Sequence, residues 1–523
     1  MFKDLRQISE NTIVESDICI IGSGAAGLSI ALEFIDTGYK VVVLESGGFK
    51  FDDDTHEAGN VVSVGQPLRE RPSWVRAFGG GLNAWAAGWQ VFNEIDFEKR
   101  PSVPYSGWPI PYSEVAKYWA VAATRYRLAP LESHNERHWL PKIQNTAEHN
   151  LINQNNRINV IHIKPLNFAE NHRDFRRSKN IEIYLHANVT HLQLSSCYNK
   201  IEEVKARSIH GNSMTCKARY IILAAGAFEN AGLLLNSREK MNKGIGNQHD
   251  LVGKFYMNHP RGHFGELLPF NKKIPLPHCF GTRTPYGHVF MVLSPSATIM
   301  RKNGLLNHHI RFAPVYEHEG LPGYKSLRAL KHKYILGSKA TIASGRPWDH
   351  IKNVSLDLAK LAHVLYKKVN NDCMNLKYIT IEGRLEQAPN PASRVRLSDK
   401  HDCFGRNKLV LDWRIGSMEK ESMKQMHHLL KRSWVNIGHL NGDIEAGDHW
   451  PISGDASHHL GTTRMAQTDK EGVVDKDCQV FGVHNLFIAG SSVFPTGGGS
   501  ACPTFTIIAL SIRLADHLKR RLS

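Results

Sequence analysis

Three groups of residues in this 523-residue chain have types and spacing suited to chemistry. The first is Gly22-Ser23-Gly24-Ala25-Ala26-Gly27. It follows the apolar run Asp17-Ile18-Cys19-Ile20-Ile21 and leads into a helical pattern, Leu28 to Ile35, with Gly38 as its expected C-cap. Glycines at 22, 24 and 27 allow a tight turn and a close backbone approach to a pyrophosphate. The helix N-terminus offers that anion amide donors and a positive dipole end. Glu45 closes the next apolar run, Lys40 to Leu44, where an acceptor for ribose hydroxyls belongs. The second group is two further apolar runs ending in small residues, Ala224-Ala225-Gly226 and Ala489-Gly490-Ser491. Small residues at strand ends let a ligand approach backbone. Three such places suit one long cofactor lying across the carboxyl ends of a parallel sheet. The third group is His458-His459-Leu460-Gly461-Thr462-Thr463-Arg464-Met465, with Ser500-Ala501-Cys502-Pro503-Thr504 some forty residues later. Imidazole titrates near neutral pH and can serve as a base. A thiol bonds hydrogen poorly and reacts as the thiolate.

The elements that must hold these groups can be read from pattern. Residues 17–48 read strand, glycine turn, helix, strand, which is one βαβ unit. Residues 76–112 are rich in Gly and Trp and read as a closely packed loop. Residues 181–225 read as short strands. Residues 266–380 are irregular, apart from an amphipathic helix near 351–368 whose stripe of Ile351, Val354, Leu358, Leu361 and Leu365 is expected to face the core. Residues 407–440 read as a strand and a helix. Residues 485–490 are a strand and Thr504–Leu518 a helix.

Composition narrows the function classes. The chain is 41% hydrophobic and 22% charged, as folded globular chains are. No apolar run reaches the ~18 residues of a membrane-spanning helix. The first residues contain no apolar signal region, and the eight cysteines include no C-x-x-C pair. A reducing, cytoplasmic setting is expected. The 29 histidines include no H-E-x-x-H, and His308-His309 is adjacent rather than spaced by four, so no metal is expected. The net charge is +16, and residues 321–380 hold eleven Lys/Arg against three Asp. This is expected to be a solvated basic face. No zinc-finger, RNP-like or helix-turn-helix signature accompanies it, so nucleic acid is not an expected partner.

With Gly80-Gly81-Leu82-Asn83-Ala84-Trp85, Asp250-Leu251-Val252-Gly253 and Glu386-Gln387-x-x-Asn390-Pro391-x-x-Arg394-Val395, these segments resemble the glucose–methanol–choline (GMC) family of flavin oxidoreductases. The resemblance covers nearly the whole chain and is weakest at 266–380. The branch acting on sugars and aminoglycosides is nearest. It implies an α/β fold: a Rossmann-like FAD-binding domain from residues 1–110, 180–262 and 450–523, and an α+β substrate domain with an antiparallel sheet from 111–179 and 263–449. It implies FAD held by Gly22, Gly24, Ala26, Gly27, Glu45, Gly80, Gly81, Asn83, Ala84, Trp85, Val189, Ala225, Gly226, Gly490, Ser491, Pro503 and Thr504. The position at which some members link flavin through a histidine is Ala84, so FAD is expected to be non-covalent.

The implied reaction is oxidation of a primary or secondary alcohol to a carbonyl. The substrate class is a sugar, a glycoside or a natural-product intermediate. A histidine removes the hydroxyl proton and hydride passes to flavin N5. The family's catalytic histidine falls on His458, with His459 one place off. Its second catalytic position, usually His or Asn, is Cys502, which is either a packed small residue or a thiol with a role. Oxygen, a quinone or a redox protein is the electron acceptor. The alternative is a flavin-containing lyase, dehydratase or isomerase with no net oxidation, since fold does not fix chemistry.

Overall fold

The run around Ile18–Ile21 is the end of a ten-residue strand, Thr12–Ile21, in the computed structural model. The structure describes residues 1–68, 74–146, 148–165, 168–271, 277–331, 347–369, 375–435, 437–441, 452–499 and 502–523. Val41–Leu44 pairs parallel to that strand, and all four of its residues are buried, as an apolar run covered on both faces should be. Around this pair grows an eight-stranded sheet in the order Phe2–Asp4, Ile181–Leu185, Val41–Leu44, Thr12–Ile21, Ser213–Leu223, Ile201–Arg207, Asn188–Leu194, with Leu486–Ile488 beside Ser213–Leu223. Its central pairings are parallel. Four strand ends are knitted together by three backbone bonds of 2.8 Å: Gly22 N to Leu44 O, Ala224 N to Ile21 O, and Ala489 N to Leu223 O. Parallel pairing is thus what brings Gly22, Glu45, Ala225 and Gly490 to one edge.

The helix after the glycine turn is Ala25–Glu33, capped at Phe34 rather than Gly38. The C-terminal helix, Pro503–Leu522, packs against it and against Tyr112–Arg125. The 76–112 stretch is mostly irregular, with only short pieces at Gly80–Asn83, Gly88–Trp89 and Glu94–Phe97.

A second sheet of nine strands is antiparallel. Its order is Gly438–Asn441, Pro260–Pro269, Leu376–Arg384, His309–Tyr316, Gly287–Pro295, Asn156–Ile163, Gly88–Trp89, with Thr282–Thr284 and Ile452–Asp455 attached. Ile452–Asp455 pairs with Pro260–Pro269 in this sheet and Leu486–Ile488 pairs in the first, so the chain crosses between the two sheets between these strands. A third, small sheet joins Arg394–His401, Asn407–Asp412 and Val61–Ser63.

The expected helix at 351–368 is two helices, Pro347–Leu356 and Leu358–Val369. The break falls at Asp357, whose carboxylate accepts from Gly323 N at 2.8 Å. The break ends the continuous stripe. Leu361 is buried, but Ile351, Leu358 and Leu365 are 49%, 63% and 62% exposed, so the stripe does not face the core as expected.

A buried ion pair ties the 94–108 stretch to the second sheet. Arg100 holds Glu386 at 2.5 Å with both side chains almost wholly covered, and Asn307 N donates to the same carboxylate at 2.6 Å. Burial pushes Glu386 up, but Arg100 outweighs it and keeps the carboxyl below the usual range. Arg100→Met strands that charge. We expect it to cost about 3–5 kcal/mol in urea unfolding, and Arg100→Met/Glu386→Leu to recover most of the loss.

Candidate active site

The glycine turn is required by geometry at two of its three glycines. Gly22 has φ +103°, and a Cβ there would lie 2.7 Å from Ala224 O. A Cβ on Gly27 would lie 1.9 Å from Gly22 O, so Gly27 lets the helix pack under the turn. Gly24, Gly226 and Gly490 differ: a Cβ on any of them would meet no atom of the described residues within 4 Å. Instead all three line a cavity of about 1410 Å³ along the carboxyl edge of the first sheet. Backbone left bare toward a cavity at three strand ends, at the N-terminus of Ala25–Glu33, fits a bound dinucleotide. Glu45 Oε2 accepts from Ser23 N at 2.9 Å and Ser23 Oγ at 2.6 Å, and Oε1 from Gly47 N at 3.0 Å. The same carboxylate therefore holds the turn's shape and borders the cavity.

Of the residues singled out in the sequence, Gly22, Gly24, Ala26, Glu45, Gly80, Gly81, Ala84, Trp85, Val189, Ala225, Gly226, His458, Gly490, Ser491, Cys502, Pro503 and Thr504 line this cavity. Gly27 and Asn83 do not. The Asn83 amide turns back onto Phe78 O and Gly80 O, both at 3.0 Å, and closes its own short turn. His459 also lines the cavity.

The two histidines have different surroundings. His459 sits among Trp74, Phe228 and Tyr256. Its Nδ1 is 2.7 Å from the Tyr256 hydroxyl, which accepts from Asn258 Nδ2 at 3.2 Å and so has its own proton for the imidazole. Burial pushes His459 down to about 4. His458 is half-buried, and its ring stands edge-on to His259 at 5.2 Å. Its backbone N–H donates to Asn258 Oδ1 at 3.1 Å, and the same oxygen accepts from His259 N at 2.8 Å. Burial first, then His259, Arg384 and Arg261, push His458 well below the ordinary imidazole range. The ring is therefore neutral at physiological pH. Gly461 has φ +83°, and a Cβ there would lie 2.3 Å from Phe255 O, so this glycine is what lets the histidine turn seat.

Cys502 packs against Gly88, where an added Cβ would come within 2.6 Å of its Sγ. Burial pushes its thiol up despite Arg384 and Arg261. The sulfur is therefore a neutral thiol in a tight place.

Sequence reading placed Asn258 only in a wall between domains and passed over three arginines here. Asn258 is fully buried, and its amide positions His458. Arg261, Arg311 and Arg384 line the cavity from the second sheet. Their signal is a two-residue period of charged and imidazole side chains, His309 with Arg311 and Glu382 with Arg384, inside otherwise apolar strands.

Comparison with known proteins agrees with this geometry. Residues 17–300, more than half the chain, match the family model described as FAD dependent oxidoreductase, and residues 389–511 match that described as GMC oxidoreductase. The chain belongs to the FAD-dependent oxidoreductases, and its residues 389–511 are similar to the GMC oxidoreductases. It is 21% identical to the 2-methyl-1,2-propanediol dehydrogenase of Mycolicibacterium austroafricanum over 97% of this chain and 96% of that protein. It is 34% identical to the C-glycoside 3-oxidase of Arthrobacter globiformis over 126 residues, which are 24% of this chain and 23% of that one. Formate oxidase superposes with a TM-score of 0.58 at 16% identity, covering 98% of this chain and 99% of the other. Pyridoxine 4-oxidase from Mesorbium loti does so at 0.54 and 15%, covering 96% and 99%. These likenesses show a shared fold.

The two kinds of glycine make opposite predictions. Gly24→Val fills space that only the cofactor uses. We expect FAD occupancy to fall at least about tenfold at equal free FAD, while the melting point of the flavin-free chain moves by no more than about 3 °C. Gly27→Ala drives a methyl into Gly22 O, and we expect little folded protein.

Proposed function

We propose that the protein oxidises a primary or secondary alcohol to a carbonyl. Its substrate class would be a sugar, glycoside or natural-product intermediate. The observation that carries this reading is that His458 lines the same cavity as the bare backbone of Gly24, Gly226 and Gly490, where FAD would lie. FAD would lie across Gly22, Gly24, Glu45, Gly226 and Gly490, and when bound it accepts the carbinol hydride. His458 takes the hydroxyl proton, so the C–H and O–H bonds of the alcohol are exchanged for the C=O bond. Asn258 fixes the backbone from which His458 projects, which holds the base in one place as the proton moves. The second sheet roofs the cavity and keeps water from competing for the base. Cys502, as a neutral thiol packed on Gly88, fills space beside the reacting group. Ala84 carries no nucleophile, which supports non-covalent FAD. The described cysteines are all free, which supports a reducing, cytoplasmic setting. The electron acceptor is oxygen, a quinone or a redox protein.

The test is anaerobic flavin absorbance against a panel of sugars, glycosides, nucleosides and simple alcohols. We expect one class to bleach the flavin. Failure of every member, with flavin bound and reducible by dithionite, would favour a lyase or isomerase. We expect His458→Ala to slow bleaching by about 10²- to 10⁴-fold with flavin content unchanged. The pH dependence has a definite sign. A depressed histidine keeps its proton-accepting form as pH falls, so the acid limb of kcat/KM should lie below the ordinary imidazole value of about 6.5.

A further inference from the structure

We infer that the substrate alcohol also bears an oxyanion, a carboxylate or a phosphate ester, and that Arg261, Arg311 and Arg384 hold it. This rests on the reading of the cavity as an alcohol-oxidising site. The first observation is register. Arg384 lies directly across from Arg261 on one neighbouring strand and from His309 on the other, and Arg311 lies across from Glu382. Cross-strand partners share a face, as do residues two apart on one strand. The three arginines therefore share one face of the second sheet, and all three line the cavity with His458 and Cys502. Like charges directly opposite one another destabilise a sheet. Two arginines in register on a cavity wall make that wall attractive to an anion in the cavity.

The second observation is that the described residues set little counter-charge against Arg311 and Arg384. The Arg384 side chain makes no hydrogen bond or ion pair with any described residue, although its backbone is paired on both sides in the sheet. Arg311 reaches Glu382 only at 3.9 Å, its Nε is buried without a partner, and its guanidinium lies over the Phe290 ring at 5.1 Å. Among the described residues lining the cavity the carboxylates are Glu45 and Glu229. Glu45 is engaged by the glycine turn, and Glu229 by Arg76 at 2.8 Å and Arg406 at 3.4 Å. The third observation is reach. Arg261, Arg311 and Arg384 line the same cavity as His458 and Cys502, so an anion they hold shares that cavity with the base. Guanidinium forks bind carboxylate and phosphate oxygens in pairs, which orients a substrate as well as attracting it.

Two measurements on the flavin-loaded protein test this. The first is titration with acetate, gluconate and inorganic phosphate, each against acetamide as a neutral control, read as perturbation of the flavin absorbance. We expect saturable binding of at least one oxyanion and none of acetamide. We expect Arg384→Met to weaken that binding at least about tenfold, as loss of one charge-assisted hydrogen bond does, and Arg384→Lys to weaken it less. Gluconate and phosphate separate the two anion sources. The second is anaerobic bleaching by matched pairs: glucose against glucose 6-phosphate, and glucose against gluconate. We expect the anionic member of one pair to have the higher kcat/KM by at least tenfold, and Arg311→Met to remove that preference. Equal bleaching by neutral and anionic members would overturn the inference and leave alcohol oxidation standing. Bleaching by no alcohol would instead remove the underlying reading. Anion binding unchanged in Arg384→Met overturns the inference by itself. So does a changed flavin potential in that variant with unchanged anion binding, which would assign the arginines to the cofactor.

Discussion

The molecule depends on a buried amide at the point where the chain passes from one sheet to the other. Asn258 Oδ1 accepts from the backbone of both His259 and His458, while its Nδ2 reaches Tyr256. Its own N–H donates to Gln387, whose side chain is shared with Trp413. One fully covered residue, through its side chain and its own N–H, therefore joins the 256–260 crossing, the 385–387 strand end and the histidine turn. Such a group is costly to bury unless every bond is made. Because the bonds are made, the position of His458 is set by the packing of both sheets.

The motif segments meet around this point. Arg394 pairs with Asp250 at 3.0 Å, Val395 N donates to Gly253 O at 2.8 Å, and Gly253 N donates to Thr462 O at 2.7 Å. Segments more than two hundred residues apart are thus one backbone-bonded unit under the histidine turn. Burial here has an electrostatic consequence. His458, His459 and His259 are all held below the ordinary imidazole range chiefly by desolvation, so the site keeps neutral bases beside a cationic sheet face.

What was legible in the sequence was local or repetitive. The α/β character, the strand before Gly22, the strand ending at Leu44 and the helix beginning near Thr504 follow from apolar runs and their punctuation, and a turn needing glycine at Gly22 and Gly27 leaves its mark within six residues. Asn83 shows the limit of the same reasoning: its amide serves its own turn and not the cavity. The helix at 351–368 shows another. Its period was right for each half, but Asp357 is drawn off to Gly323 on a different helix, and no local pattern contains that contact.

The sequence by itself determined the chemistry available: a dinucleotide turn, a histidine followed by Gly-Thr, and a cysteine where a stronger hydrogen-bonding group is usual. These are properties of residue type and short spacing. Tertiary structure alone decided what those groups experience. Strand register set three arginines on one face, and register is a relation between segments distant in the chain. Burial decided that His458 and Cys502 are both held toward their neutral forms, because desolvation comes from neighbours that folding brings and sequence proximity does not.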